Sequence, residues 1–456
     1  MVNSWSSSRV DLLLDLRGPR RSGLESALRE AIRGGRLAAG TLLPSTRGLA
    51  RELGLARGTV VAAYDQLATE GYLTVRPGSG TRVAEVPPGP DLTDTSGTSR
   101  EPLYDLRPGC PDVSAFPARA WLAATRRVLG RHAVGRGDPQ GTPELRAALC
   151  DYLGRTRGVR ATPAQVVVTS GYYQGLVLLS RVLSSCGVGV AAFEDPGHSV
   201  YRDAVRRAGL TVVPLPVDAH GARVDALPSD AGAAFLTPAH QYPMGVPLHP
   251  ARRQAACAWA RATGGILVED DYDGEFRYDR QPVGALQGMA PEHVVYGGTV
   301  SKTLGPGLRL GWLVLPPWLV PAVVRAKEEA DFYTETLSQL VLADLIATHA
   351  YDRHVRAARL RYRRRRELLA FRFPLEGVPA GLSALFLMPE GEAEVLSACS
   401  RRGLALRGLT ELHHDPAGRS QGLLIGFAAP SESDYATALP LLTEVIGGRR
   451  VGGGRR

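Results

Sequence analysis

The chain has 456 residues, 44% hydrophobic and 22% charged, which is enough for two or three domains with a sizeable core and excludes an intrinsically disordered polypeptide. Its formal charge of +9 favours a polyanionic partner, and the excess is uneven, with twelve Arg against seven acidic residues in positions 1–82. Five cysteines, Cys110, Cys150, Cys186, Cys257 and Cys399, show no Cys-x-x-Cys spacing and read as buried, reduced thiols of a cytoplasmic protein. No signal peptide is recognisable at the start, and the most apolar stretch, 310–324, is broken by Pro316, Pro317 and Pro321, so no membrane partner is expected.

In chain order, Leu24, Ala27, Leu28, Ala31 and Ile32 fall at helical spacing and precede the breaker Gly34-Gly35, which predicts a short amphipathic helix. Leu43-Pro44-Ser45-Thr46-Arg47 supplies a proline stop and a serine cap for a second helix through Leu53. Gly54-Leu55-Ala56 then turns into a third, over 57–70, with Val60, Val61, Tyr64 and Leu67 as its apolar stripe. Two short helices joined by a glycine turn form a helix-turn-helix, and this stripe leaves Arg57 and Thr59 outward at the end where a recognition helix meets bases and phosphates. Residues 71–83 read as two short strands around Arg76-Pro77-Gly78-Ser79-Gly80, a wing placed to track the DNA backbone or minor groove.

Leu-Pro-Ser-Thr-Arg at 43–47, Ala-Arg-Gly-Thr-Val at 56–60, Glu-Gly-Tyr-Leu at 70–73 and Arg-Pro-Gly-Ser-Gly-Thr at 76–81 together resemble the GntR-type winged helix-turn-helix, over residues 9–83. The resemblance implies double-stranded operator DNA as partner, met by Ser45, Thr46, Arg47, Arg57, Thr59, Arg76, Gly78, Ser79 and Gly80. Residues 84–102, rich in Pro, Gly, Thr, Ser and Asp, read as a flexible linker.

Beyond the linker, apolar runs at 166–169, 188–193, 212–217, 234–237, 266–268, 294–296 and 310–315 alternate with helical stretches. That alternation predicts an α/β domain over 103–446, a mostly parallel sheet covered by helices on both faces, with ligands at the carboxyl ends of its strands. Ser170-Gly171-Tyr172 ends a strand and opens a helix, so its N–H groups can hold a phosphate. His198, after Glu194-Asp195-Pro196-Gly197, offers a flat ring for stacking, and Pro238-Ala239-His240-Gln241-Tyr242 offers imidazole, amide and phenol donors. Glu269-Asp270-Asp271-Tyr272-Asp273 closes a buried strand with carboxylates, one of which could hold a pyridinium nitrogen protonated while Tyr272 reaches a ring oxygen.

Lysine is nearly absent. Against a background of arginine the chain has only Lys302 and Lys327, and Lys302 lies in Gly298-Thr299-Val300-Ser301-Lys302-Thr303-Leu304-Gly305-Pro306-Gly307-Leu308-Arg309. Arginine cannot shed its proton, whereas lysine can do so and attack an aldehyde, which points to pyridoxal 5'-phosphate (PLP). Thr299 and Ser301 could donate to its phosphate and Arg309 could clamp it. An isolated Ser-Lys pair is more often a surface feature, and it is the ordered set of strand-end motifs before Lys302 that turns the odds.

That set resembles the fold-type-I aminotransferase domain, with a smaller C-terminal α+β subdomain. With the winged helix in front, the whole chain is similar to regulators of the MocR/GabR subfamily. The resemblance implies Lys302 as the Schiff-base lysine, Asp270 on the pyridine nitrogen, Tyr272 on the ring hydroxyl, and Arg309, Thr299 and Ser301 with the Ser170, Gly171, Tyr172 turn on the phosphate; His198 and Tyr242 complete the pocket. Gly137-Asp138-Pro139-Gln140-Gly141 matches a segment that such proteins bring to the site across a dimer interface, so a homodimer is expected.

Several positions depart from the family. Arg136 replaces a Tyr before Gly-Asp-Pro, His198 a stacking Tyr, Tyr172-Tyr173 smaller and amide residues, and Gly305 a Phe. In Gly422-Leu423-Leu424-Ile425-Gly426 an aliphatic residue, Leu424, stands where aminotransferases carry the Arg that grips a substrate carboxylate, and Arg407 or another basic residue could substitute. The Arg-rich run 353–366 carries Val355, Leu360 and Tyr362, with Leu368 just beyond, as a long helix with a solvated face would, and 447–456 reads as a basic disordered tail. Two functions stay open: a transcriptional regulator sensing PLP or an amino-acid-like effector, and a working aminotransferase with an appended DNA-binding domain.

Overall fold

A computed structural model describes residues 20–76, 80–85, 102–131, 135–279 and 283–450. Residues 9–19 of the expected first domain, Gly78 and Ser79 of the wing, most of the expected linker and positions 451–456 lie outside these. The described residues before and after position 100 form two compact units.

In the first unit, α1 (Arg20–Arg33), α2 (Thr46–Leu53) and α3 (Arg57–Thr69) precede a hairpin of β1 (Leu73–Arg76) and β2 (Gly80–Val83). Ser45 caps α2, its side chain accepting from the Gly48 N–H, and Gly54 ends that helix at φ 63°, the left-handed turn the motif needs. Leu24, Leu28, Leu49, Val60, Tyr64, Leu67, Leu73 and Val83 close one core, each nearly fully buried. Val61 is only half-buried and lies outside that core. The wing is antiparallel, with Arg76 opposite Gly80, and Leu42 bridges to Arg82 on its outer side.

The second unit begins with β3 (Tyr104–Asp105), α4 (Ala118–Leu129) and α5 (Pro143–Arg157), then alternates: β4 (Val166–Thr169), α6 (Tyr172–Ser185), β5 (Val190–Asp195), α7 (Ser199–Arg207), β6 (Thr211–Asp218), β7 (Gly221–Ala222), β8 (Ala231–Leu236), α8 (Pro250–Thr263), β9 (Ile266–Asp270), β10 (Val294–Thr299) and β11 (Gly311–Val314). These strands form one eight-stranded sheet in the order β4-β11-β10-β9-β8-β5-β6-β7. All neighbours from β10 through β6 run parallel, while β11 and the edge strand β7 run against their neighbours. Parallel strands must be joined by crossover helices, so both faces are covered and the strands read as continuous apolar runs. Two separate clusters, one under α6 and α7 and one under α8, are the resulting cores.

The chain ends with α9 (Val320–Asp331), α10 (Thr336–Ala347), α11 (Ala350–Ala370), β12 (Ser383–Met388), α12 (Glu392–Arg401), β13 (Leu404–Ala405), β14 (Arg407–Gly408), β15 (Gln421–Gly426) and α13 (Glu432–Arg450). β12, β15 and β14 make a small antiparallel sheet, the centre of the α+β subdomain. Three expectations need correction. The backbone of 447–450 continues α13 and is not a tail. Of the cysteines only Cys257 and Cys399 are buried, Cys110 and Cys186 being exposed. On α11, Val355 and Tyr362 are buried but Leu360 and Leu368 are exposed, because the helix turns a narrower apolar stripe to the core than the composition suggests.

Candidate functional site

Strand ends of the large sheet surround a cavity of about 280 Å³, lined among others by Tyr172, His198, Tyr242, Asp270, Tyr272, Lys302 and Arg407. The acidic stretch that ends β9 shows how the chain allots its carboxylates. Glu269 accepts the Leu286 and Gln287 N–H groups at 2.9 and 3.0 Å. Asp271 is sealed in a two-pronged pair with Arg157 at 2.6 and 2.8 Å and also accepts from Tyr296. Asp273 binds His240 Nδ1 at 2.8 Å. Only Asp270 opens on the cavity, with a buried Oδ1 that meets no partner. Burial pushes its acid well above the carboxylate range, against the pull of Lys302.

Lys302 follows β10, and its Nζ donates to the Gly109 carbonyl at 2.6 Å. Burial lowers the pKa of its amine, which brings the neutral, nucleophilic form closer to reach. Two consecutive glycines in β10 make room for neighbouring rings: a Cβ at Gly297 would overlap the Tyr172 ring, and one at Gly298 the Trp312 indole. Tyr172 thus enters the cavity wall at the start of α6.

His198 precedes α7 and lies face to face with Tyr201, the ring centroids 3.8 Å apart and the planes 6° from parallel. Burial first, then the charges of Lys302 and Arg407, drive its imidazole down to about 3, so the ring is neutral. Tyr272 Oη sits 3.2 Å from both His240 Nδ1 and the His240 carbonyl. The Gln241 amide is spent on Glu194 and the Pro196 and Tyr242 carbonyls, leaving the phenols and His198 as the polar rings of the cavity.

A second cluster lies at the α6 N-terminus. Arg309 donates to the Ser170 carbonyl at 2.8 Å, its guanidinium standing over Gly171, and the Thr299 and Ser301 hydroxyls are 2.9 Å apart. Ser170, Gly171, Thr299, Ser301 and Arg309 do not line the cavity proper; they adjoin it through Tyr172 and Lys302. The first turn of α6 carries no side-chain cap. Sequence reasoning missed the network behind this cluster: Lys327, fully buried, pairs with Asp331 at 2.6 Å, and Asp331 in turn accepts from Gln174 at 2.7 Å and Ser170 at 3.4 Å. Its signal was the scarcity of lysine, since both lysines end up beside this site, Lys327 buried and Lys302 half-buried. Tyr201 and the Gly109 carbonyl were also missed, and no motif marks either.

In the first unit Ser45, Arg47, Arg57, Arg76 and Gly80 are exposed, and Thr46 and Thr59 are half-buried. Ala56 gives α3 no side-chain cap, so the first N–H groups of that helix stay open beside Arg57. Arg82 is committed elsewhere, donating to the Gly40 carbonyl.

Residues 21–83 match the family of bacterial regulatory proteins, gntR family, and residues 109–420 match aminotransferase class I and II. The pyridoxine biosynthesis transcriptional regulator PdxR of Corynebacterium glutamicum is 32% identical, over 93% of this chain and 95% of its own length. The chain belongs to the MocR/GabR subfamily of GntR-type regulators. The regulator is also 33% identical to the probable rhizopine catabolism regulatory protein MocR of Rhizobium meliloti, over 90% of each chain. Among solved structures it resembles the kynurenine aminotransferase of Pyrococcus horikoshii, with a TM-score of 0.69 at 22% identity over 77% of this chain and 92% of that one. An archaeal alanine:glyoxylate aminotransferase gives 0.70 at 22% identity, over 90% and 96%. These likenesses establish the fold: a winged helix-turn-helix joined to a fold-type-I aminotransferase domain. The regulator is thus an HTH-type transcriptional regulator.

Proposed function

We propose that the regulator binds PLP at Lys302, meets operator DNA as a cytoplasmic homodimer through its winged helix, and changes its DNA binding with what the cavity holds. The observation that carries this is the presence of a buried, unsatisfied Asp270 oxygen and a half-buried Lys302 on one cavity. An unpaired buried carboxylate costs about 1–3 kcal/mol or more, and a protonated pyridine ring nitrogen is a group that would satisfy it. When bound, PLP supplies an aldehyde that condenses with a primary amine.

The chain's own residues do the rest. Lys302 offers the amine, Asp270 keeps the ring nitrogen protonated, and Tyr272 donates toward the ring oxygen. His198 offers a neutral face for stacking, and Tyr242 closes the wall. Ser170, Gly171, Tyr172, Thr299, Ser301 and Arg309 hold the phosphate at the uncapped start of α6. On DNA, Arg57, Thr59 and the open N-terminus of α3 meet bases and phosphates, Ser45, Thr46 and Arg47 steady α2 on the backbone, and Arg76, Gly78, Ser79 and Gly80 form the wing contact.

Sustained transamination is the second reading, supported by the aminotransferase fold and by Lys302 and Asp270 themselves. Against it stands Leu424, 1% exposed among Leu385, Leu409 and Leu412, where substrate turnover needs a carboxylate grip. The deciding experiment is footprinting of the regulator on its own upstream DNA with and without PLP, for wild type and Lys302→Ala. Protection that shifts with PLP in the wild type only supports the proposal. A shift retained in Lys302→Ala, or steady conversion of amino donors with a 2-oxo acid, contradicts it.

A further inference from the structure

We infer that Arg407 is the receptor for a carboxylate on a small amino compound that shares the cavity with the cofactor, and that Glu411 occupies its guanidinium until that compound arrives. The inference rests on the PLP-dependent reading above and names the class of effector for the same cavity.

The small sheet explains the placement. β14 pairs with β15 so that Arg407 lies directly opposite Leu424, and β12 pairs with β15 so that Leu385 lies opposite Leu424 on the other side. Residues directly opposite on antiparallel strands share one face of the sheet. Arg407, Leu424 and Leu385 therefore form a row on one face, and that face borders the cavity: Tyr242 packs on the Leu424 cluster and lines the cavity, as does Arg407. The cation thus stands on the edge strand, beside an apolar centre, and lines the cavity.

Its platform is rigid. The buried Glu392 carboxylate accepts from the N–H groups of Leu409, Thr410 and Gly422 at 3.1, 3.2 and 2.9 Å, tying the backbone just after Arg407 to the neighbouring strand β15. A Cβ at Gly408 would collide with that carboxylate. A receptor for one functional group needs such support, because an error of an ångström forfeits the bond.

The partner that holds Arg407 is easily exchanged. Glu411 Oε1 meets Arg407 Nε at 2.6 Å, but the glutamate side chain is 55% exposed and the pair is four residues apart. Exposed pairs of this kind are weak. The contrast within the molecule is Arg157–Asp271, with both side chains at most 3% exposed and no route for a ligand. Arg407 also meets the Tyr242 hydroxyl, and the remaining N–H donors of its fork can grip a carboxylate that enters from the cavity and displaces Glu411.

The charges in the cavity favour one ligand shape. His198, Lys302 and Arg407 line the same cavity, and both cations act on the His198 ring after burial does. A ligand with an amine for the cofactor and a carboxylate for Arg407 would bridge them across His198. A simple amine leaves Arg407 on Glu411, and a diamine would set cation against cation.

The test uses the PLP-loaded full chain, titrated with glycine, alanine, β-alanine and leucine and with the amines left when their carboxyl group is removed. Binding is read from the visible absorbance of the cofactor and from the footprint. At least one amino carboxylate should bind about ten-fold or more tightly than its amine, the worth of one charge-assisted pair. Arg407→Gln should erase that ratio while keeping the PLP band, and Glu411→Gln should tighten the carboxylate several-fold and leave the amine unchanged. An unchanged ratio in Arg407→Gln overturns the assignment, as does equal binding of acids and amines by wild type. If Arg407→Gln fails to load PLP, the Glu411→Gln ratio decides. Failure of every amino carboxylate to bind the PLP-loaded wild type overturns this inference and leaves the PLP reading standing; failure of the wild type to take up PLP overturns that reading instead.

Discussion

The two sides of the cavity have been treated differently by this sequence. On the side of the large sheet, Asp270, Tyr272 and Lys302 stand at the ends of β9 and β10, their neighbours Glu269, Asp271 and Asp273 each committed to a structural partner. On the side of the small sheet, Leu424 lies within an apolar cluster on the central strand, and the cation sits at the edge on Arg407. The lesson is that strand ends in a parallel sheet hold a site through backbone register, which few substitutions disturb. On the three-stranded antiparallel sheet the charge depends on one edge position, Arg407, opposite the buried Leu424.

The comparison can be broken most severely at neighbouring carboxylates of β9. Asp271→Ala strands the buried Arg157 and should cost about 3–5 kcal/mol in a urea melt, the usual penalty for removing one partner of a sealed pair. Asp270→Ala removes a group with no protein partner at Oδ1, so the apoprotein should melt no earlier than wild type. Its loss should appear in PLP affinity, weakened by about 1.5–3 kcal/mol in an absorbance titration, as for a hydrogen bond to a charged group. If the two variants exchanged these effects, the allotment of carboxylates described above would be wrong.

A middle-sized effect is expected in the other unit. Arg57→Ala should weaken operator binding about uniformly across sequences and lower the slope of log affinity against log salt by about 1 if the side chain contacts a phosphate, or relax one base position at about 1–3 kcal/mol if it reads a base. The PLP band should be unaltered in either case. Gel-shift titrations at two salt concentrations distinguish the outcomes.

Stability toward acid turns on His198. Its imidazole is driven down to about 3 in the folded chain, while the unfolded value is ordinary, about 6.5. Between those values the unfolded chain binds the extra proton, so the stability due to the neutral ring is fully present above pH 6.5 and is lost as pH falls toward 3. His198→Phe keeps a stacking face on Tyr201 and should flatten that part of the acid limb. Melting of wild type and variant at matched pH between 7 and 4 measures the difference; parallel limbs would show that His198 is not held neutral by its surroundings.

Much of the fold was legible because it is written in periodicity. The apolar runs of the parallel sheet and the Ser45 cap are local signals, and each falls within a few residues of its element. The residues around the cavity were legible as strand-end motifs, but their division of labour was not. Nothing in Glu269-Asp270-Asp271-Tyr272-Asp273 says that Arg157, over a hundred positions earlier, takes Asp271 and leaves Asp270 open. Lys327 and Asp331 form a local helical pair, yet its closeness to Ser170 is a product of how α9 packs on α6. The continuation of α13 through 447–450 was hidden because Gly-Gly-Arg-Arg carries the composition of a tail.

The most direct measurement is borohydride reduction of the PLP-loaded regulator followed by peptide mapping. With only two lysines in 456 residues the outcome is close to binary. The account predicts the coenzyme fixed on Lys302 and none on Lys327, whose amine is engaged by Asp331. Label on Lys327, or no label at all, would contradict it.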